Sequence, residues 1–221
     1  MNTLKKVALG MIGQLTPEPA QGNAPGAMEL PPAQTTGGLP LMEALRQRHS
    51  ERDFLPEAIA VQLLSNLLWA ACGVNRATQD GRTAASAMNA QEVELYVAQP
   101  NGLYLYQPRI HALKLLLARD VRRVSGYQDF VDNAPLDLIM VADHARMRLI
   151  PVSRRASYAA VSAGAISQNI YLFCASSGLA TVARGWFDRQ VLARAIGLNP
   201  EQQIVLTQTV GYPRSPAAGG R

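Results

Sequence analysis

The chain is poor in cysteine, aromatic residues and charge: two Cys, 6% Phe, Trp and Tyr, and 17% Asp, Glu, Lys and Arg in 221 residues. Cys72 and Cys174 stand in separate apolar helical stretches, with no C-x-x-C pairing and no histidine at ligand spacing. Zinc binding and thiol-redox chemistry are thereby excluded, and free buried thiols fit a reducing compartment. Few aromatics, and arginines scattered along the chain, argue against nucleic-acid binding despite a net charge of +5. Recognition of a phosphate by a few arginines is the better use of that charge. No run approaches the roughly 20 apolar residues of a membrane span. The strings G-x-G-x-x-G, G-x-x-x-x-G-K-[ST], G-x-S-x-G and H-E-x-x-H are missing, and no carboxylate pair sits in an apolar setting suited to acid–base work. Hydrolysis and phosphoryl transfer are poor fits.

The length suits one domain, and a 48% hydrophobic fraction is ample for a core without staples. Lys5 and Lys6 precede a short apolar run, Val7 to Gly13, that resembles the start of a secretory signal, but no small-residue cleavage site follows promptly. A cytoplasmic location is expected, with export to the periplasm as the alternative. Residues 1–38, rich in Pro, Gly, Ala and Gln from Thr16 onward, are expected to be a flexible arm able to strap across a partner subunit. Residues 39–214 are expected to be the folded domain and 215–221 a disordered tail.

The stretch from Arg154 to Asp188 organises the rest. Ala156, Ala159, Ala160, Ala163, Gly164 and Ser167 recur at helical spacing and leave room for a neighbouring backbone. Tyr158, Val161, Ile166, Ile170, Leu172 and Phe173 flank that stripe, so little of the helix is expected to face water; Gly178 is its stop. Ile59 to Gly73 reads as a second apolar helix, and His111 to Arg123 as an amphipathic one. Asn101-Gly102 signals a hairpin between two alternating strands. Leu136 to Ala142 and Ile204 to Val210 are continuous apolar runs, hence buried strands. His111 and His144 lack ligand-spaced partners and read as surface or capping residues. Two groups could bind a ligand. Arg46, Arg48, His49, Ser50 and Arg52 form the densest cationic cluster, suited to a phosphate, although a solvated helix end would look the same. Ser86, Asn89 and Gln91 precede a strand; they read either as turn chemistry or as amides and a hydroxyl aimed at a heteroaromatic ligand. Such binding groups without an internal catalyst suggest that a bound cofactor carries the chemistry.

These motifs resemble a known family. Arg48-x-Ser50-x-Arg52-x-Phe54 is similar to the R-x-S-x-R-x-F signature of the FMN-dependent nitroreductase superfamily, and Ser86-x-x-Asn89-x-Gln91 to its P-S-x-x-N-x-Q element, with Ala85 in place of the proline. Gln168-Asn169, Gly178-Leu179, Phe187-Asp188 and Val210-Gly-Tyr-Pro213 follow in the family's order. The wording around Leu67–Ala71, Gly73–Arg76 and Gly81–Thr83 is similar to the branch containing azoline (thiazole/oxazole) dehydrogenases. The resemblance spans Leu39 to Pro213. It implies an α+β fold with a central, mostly antiparallel sheet surrounded by helices, in an intertwined homodimer with FMN at the interface.

By residue, the resemblance implies that Arg48, Ser50 and Arg52 hold the ribityl phosphate and the pyrimidine edge of FMN, His49 contributing through its backbone. Ser86, Asn89 and Gln91 would meet the isoalloxazine ring. Ala183, Arg184 and Gly185 would lie beside its reactive edge and offer backbone N–H groups near N5, and Arg214 would be the C-terminal cation on the phosphate. Arg184 and Trp186 replace the loop residues common in the family; together they suggest a pocket for an anionic substrate, although Trp186 reads equally as a packing residue. The implied activity is ping-pong hydride transfer from NADH or NADPH through flavin N5 to a nitroaromatic, quinone or related acceptor. Arg52 would stabilise negative charge on the reduced ring, and no side-chain acid is assigned. Two alternatives are a dehydrogenase of a peptide or small heterocycle with oxygen as acceptor, and a flavin-binding protein without turnover. No metal is expected.

Overall fold

The structure is a computed structural model, and it describes residues 1–214. Its centre is β9 (Leu136–Asp143), a run buried on both faces, as the unbroken apolar pattern requires. Around it lie β5 (Val93–Gln99), β6 (Gly102–Gln107), β7 (Ala112–Leu117), β10 (Ala180–Arg184) and β11 (Gln202–Gly211), while β3 (Val74–Arg76) and β4 (Gly81–Arg82) pair only with each other. With β2 (Ala27–Glu29) they form a seven-stranded sheet in the order β10-β11-β9-β5-β6-β7-β2, antiparallel at every pairing. The hairpin forms one position earlier than the Asn-Gly signal suggests: Gln99 pairs with Gly102, leaving Pro100 and Asn101 as the two-residue turn.

Two helices cover one face. α3 (Val61–Cys72) presents Leu64, Leu67, Leu68 and Ala71, and α4 (Val152–Ser177) presents Ala163, Ile166, Ile170 and Cys174 to the same core. The other face carries α5 (Arg189–Ile196), whose N-cap Asp188 accepts from the N–H groups of Gln190 and Val191 at 2.9 Å, and a second core built on Ile139, Val141, Leu192 and Ile196. Gly178, at φ +69°, closes α4 in the left-handed conformation. Burial at both thiols pushes Cys72 up to about 12 and raises Cys174 further, so neither is reactive near neutrality.

Three expectations are corrected. Residues 112–117 form β7, not a helix: Leu113 and Leu115 pair across to Tyr106 and Tyr104, and cross-strand pairing outweighs a leucine spacing that fits either period. α4 is far from fully buried: Ala156, Ala160 and Gly164 face outward with Val152 at 77% and Val161 at 72% exposure. The nearby helix α2 (Leu41–Gln47) also exposes Leu41 and Met42, at 63% and 75%. Residues 1–38 are laid on the domain and not left as a free arm. α1 (Thr3–Met11) inserts Lys6 completely, where Nζ donates to the carbonyls of Gly126 and Gln128 and lies 2.5 Å from Asp132 Oδ1. β1 (Glu18–Pro19) pairs with β8 (Arg119–Asp120), and β2 supplies the sheet edge beside β7. Residues 215–221, expected as a tail, lie outside the described residues. No helix among the described residues is long and apolar enough to cross a membrane.

The Lys6 contacts make the N-terminal helix integral. Lys6→Ala strands two carbonyls and leaves Asp132 only the amino group of Met1, and is expected to lower unfolding free energy by about 2 kcal/mol in urea denaturation; an unchanged midpoint would mean that the helix is merely resting on the surface.

Candidate functional site

The cationic segment is placed by the need to cover a sheet edge. β10 is the outermost strand, and its free edge is met by the residues after α2: Glu51 N–H donates to Thr181 O at 3.0 Å. Three residues on, Phe54 is 2% exposed and packs with Ala134, Ala180 and Val182. Leu55 N–H then donates to Tyr212 O (2.9 Å) and Arg214 N–H to Asp53 O (3.0 Å), so residues 53–55 run against the exit of β11. Gly211 is needed there, since a Cβ would fall 2.8 Å from Pro135 and 3.2 Å from Phe54.

Within this segment the carboxylates are committed to other partners. Glu51 Oε1 accepts from the N–H groups of Arg52 and Asp53, and Asp53 Oδ1 accepts from Arg214 Nε at 2.9 Å. Among the described residues, the guanidiniums of Arg48 and Arg52 therefore have no ion pair, whereas Arg46 pairs with Glu43 and Arg214 with Asp53. Arg48 lies over the Tyr171 ring, 5.4 Å from its centroid, and the Tyr171 hydroxyl sits 2.8 Å from Ser50 Oγ and 2.9 Å from Ala183 N. His49 is exposed and turned to the carbonyl of Gln47. Arg52 borders an open cleft of about 790 Å³ shared with Thr3, Gln128 and Asn133.

The second group is a strained loop. Met88, Asn89 and Gln91 all have φ between +50° and +53°, a left-handed conformation that costs non-glycine residues about 1–2 kcal/mol each. Hydrogen bonds hold it: Ser86 Oγ accepts from Gln91 N at 3.0 Å, and Gln91 Nε2 donates to Asp80 O at 2.5 Å and Asn89 Oδ1 at 3.1 Å. Strain of this kind persists where the surroundings over-determine it, and it concentrates at ligand sites. Ala87 packs in a cluster with Met147, Ile150 and Ala159, beside the first half of α4, while Tyr171 belongs to its second half. The two are roughly 18 Å apart along the helix axis. No hydrogen bond or ion pair among the described residues joins the two groups, which are anchored at separate turns of α4.

Four expected residues behave differently. Arg184 does not face a ligand. Strand alternation turns it into the sheet's other face, where its side chain is 1% exposed and donates to Asp137 Oδ1 and Ser125 O, both at 2.8 Å. Burial pulls its pKa below the ordinary arginine value, while Asp137 acts in the opposite direction. Gly126 makes the space, because a Cβ there would lie 1.9 Å from the guanidinium. Ala183 has its N–H occupied by Tyr171 and so cannot offer it elsewhere. Arg214 is held by Asp53 and the carbonyl of Phe54. Trp186, 53% exposed, packs edge-on to Tyr127 without its arginine neighbour; Gly185 is exposed. Likewise His111 is no plain surface residue, since Ser65 Oγ (2.7 Å) and Tyr106 OH (2.9 Å) take both its ring nitrogens. Sequence reasoning missed Tyr171. The available signal was a phenol in an apolar helical run, which must find a polar partner when buried.

Comparison with known proteins defines the class. The model of the Nitroreductase family matches residues 45–212. A Methanocaldococcus jannaschii protein provisionally named a nitroreductase is 30% identical over 162 residues, covering 68% of this chain and 81% of the relative. A crystal structure of a provisionally named nitroreductase from Ralstonia eutropha is 46% identical, with TM-score 0.87 over 91% of this chain and 96% of that one. More distant likenesses show the fold alone. A chain of the E. coli microcin synthetase McbBCD complex with truncated pro-MccB17 gives TM-score 0.67 at 14% identity over 96% and 93% of the two chains. The Vibrio harveyi NADPH:FMN oxidoreductase complexed with NAD+ gives 0.60 at 17% over 82% and 72%. The chain belongs to the nitroreductase family, and membership supports an oxidoreductase.

The buried pair is structural and its removal should be lopsided. Asp137→Ala leaves Arg184 charged and unpaired, at an expected cost of about 3–5 kcal/mol in chemical denaturation, whereas the double replacement Asp137→Leu with Arg184→Met should cost far less. Equal losses would contradict this.

Proposed function

We propose that the protein is an FMN-dependent oxidoreductase, working as a homodimer, that takes hydride from NADH or NADPH and passes it to a nitroaromatic, quinone or related acceptor. The observation that carries the reading is the pair of guanidiniums, Arg48 and Arg52, left without carboxylates among the described residues, whereas the nearby Arg46 and Arg214 are paired. Unpaired cations beside a serine hydroxyl fit a phosphate, and the strained amide loop at Asn89 and Gln91 fits a heteroaromatic edge that needs both donors and acceptors. FMN, when bound, supplies the hydride chemistry that no side chain here can perform. Arg48 and Ser50 would bind the phosphate end. Arg52 would favour negative charge on the pyrimidine edge, the electrostatic contribution that promotes reduction. Asn89 and Gln91 would fix the ring's orientation. Ala183 and Arg184, committed as described, would support the site from behind.

A second chain completes the arrangement. The cationic segment and the amide loop lie at different halves of α4, and the apolar residues that α2 and α4 expose are those a second copy would cover. The V. harveyi oxidoreductase, named for NADPH and FMN, supports this cofactor pair by likeness. The dehydrogenase reading, which drew on the azoline-branch wording, gains from the microcin synthetase a likeness of fold only.

The deciding experiment is anaerobic. Purified protein reconstituted with FMN should show flavin absorbance that bleaches on adding NADH or NADPH and returns with menadione or nitrofurazone. Persistent flavin bands would favour the dehydrogenase or a carrier, and failure to bind FMN would defeat the proposal. Arg48→Met should raise the FMN dissociation constant by about tenfold or more, as loss of a charge-assisted hydrogen bond requires.

A further inference from the structure

Resting on that reading, we infer that Tyr171 is the positioning residue of an oxyanion subsite: it sets the direction of the Ser50 hydroxyl proton and holds Arg48 beside it. The available protons set the direction of each bond. Ala183 N–H can only donate, so the Tyr171 oxygen, 2.9 Å away, is its acceptor. The phenol then has one proton to place, and Ser50 Oγ, at 2.8 Å, is the acceptor that the described residues offer it. Ser50 is thereby supplied with a hydrogen bond, and its own proton is free to point away from the phenol.

The same ring lies under the guanidinium of Arg48, 5.4 Å from its centroid, and no carboxylate among the described residues competes for that cation. Tyr171 thus orients two donors, a hydroxyl and a guanidinium, neither of which has a carboxylate partner among the described residues. Such a pair selects a tetrahedral or planar oxyanion, and under the proposed function it takes the phosphate monoester of FMN. The hydroxyl also ties the subsite to the edge of β10, so occupancy at Ser50 and the position of Ala183 are mechanically linked.

The prediction is selectivity between two flavins. Tyr171→Phe keeps the ring beneath Arg48 but removes the relay; it should weaken FMN by about tenfold in a fluorescence-quenching titration and leave riboflavin, which lacks the phosphate, unchanged. Ser50→Ala should give the same pattern. The double variant should lose little more than either single one, because both remove one relay. Equal weakening of FMN and riboflavin, or fully additive losses, would overturn the inference and reduce Tyr171 to packing. Inorganic phosphate separates this inference from the flavin reading. If the unaltered protein binds neither flavin, phosphate titrated by calorimetry should still bind it and bind Tyr171→Phe at least several-fold more weakly. Phosphate binding that ignores Tyr171, or none at all, would defeat the inference.

Discussion

The contact on which the site depends is the docking of residues 50–55 along the open edge of β10. An edge strand exposes backbone donors and acceptors that must be covered, and here the cover is a polar, cationic segment pinned by the Glu51–Thr181 backbone bond and the buried Phe54. The pinning consumes the local carboxylates: Glu51 caps the backbone of Arg52 and Asp53, and Asp53 holds Arg214. What the fold leaves over is cationic charge at Arg48 and Arg52. These two guanidiniums, unpaired among the described residues, follow from how the edge is closed.

Arg184 and Arg48 show how one residue type serves opposite ends. Arg184 is buried with Asp137, Ser125 and Thr209 in a network in which Asp137 Oδ1 accepts from both Arg184 and Thr209 and Oδ2 accepts from Ser125 Oγ, while Arg184 Nε has no partner among the described residues. Such a network adds little net stability over an apolar replacement but punishes loss of one member, so it behaves as a lock on the pairing of β9, β10 and β11. Lys6 does a similar job for the N-terminal helix. Burial lowers its pKa, and the contact with Asp132 opposes that shift without cancelling it. Neither cation is available to a ligand.

Much of the fold was legible because its signals are local. β9 and β11 read from unbroken apolar runs, α3 and α4 from helical periodicity, the hairpin from Asn101-Gly102. The 46–52 segment read from three arginines and a serine at tight spacing, although nothing in that spacing says which guanidiniums will be free. β7 was not legible, because Leu113, Leu116 and Leu117 satisfy a helical period while the strand is fixed by pairing with β6, a partner outside the window. The placement of residues 1–38 was hidden for the same reason. Lys6 is buried only because Gly126, Gln128 and Asp132 converge on it from more than a hundred residues away. Arg184 was misread through attention to its loop in place of the alternation of the strand that ends there.

The central claim is that two chains together supply the cofactor site, since one chain places its cationic segment and its amide loop apart. Native mass spectrometry of the FMN-reconstituted protein tests this most directly. The account predicts a dimer carrying two FMN, with the flavin lost when the dimer is dissociated. A monomer that retains one FMN would contradict it.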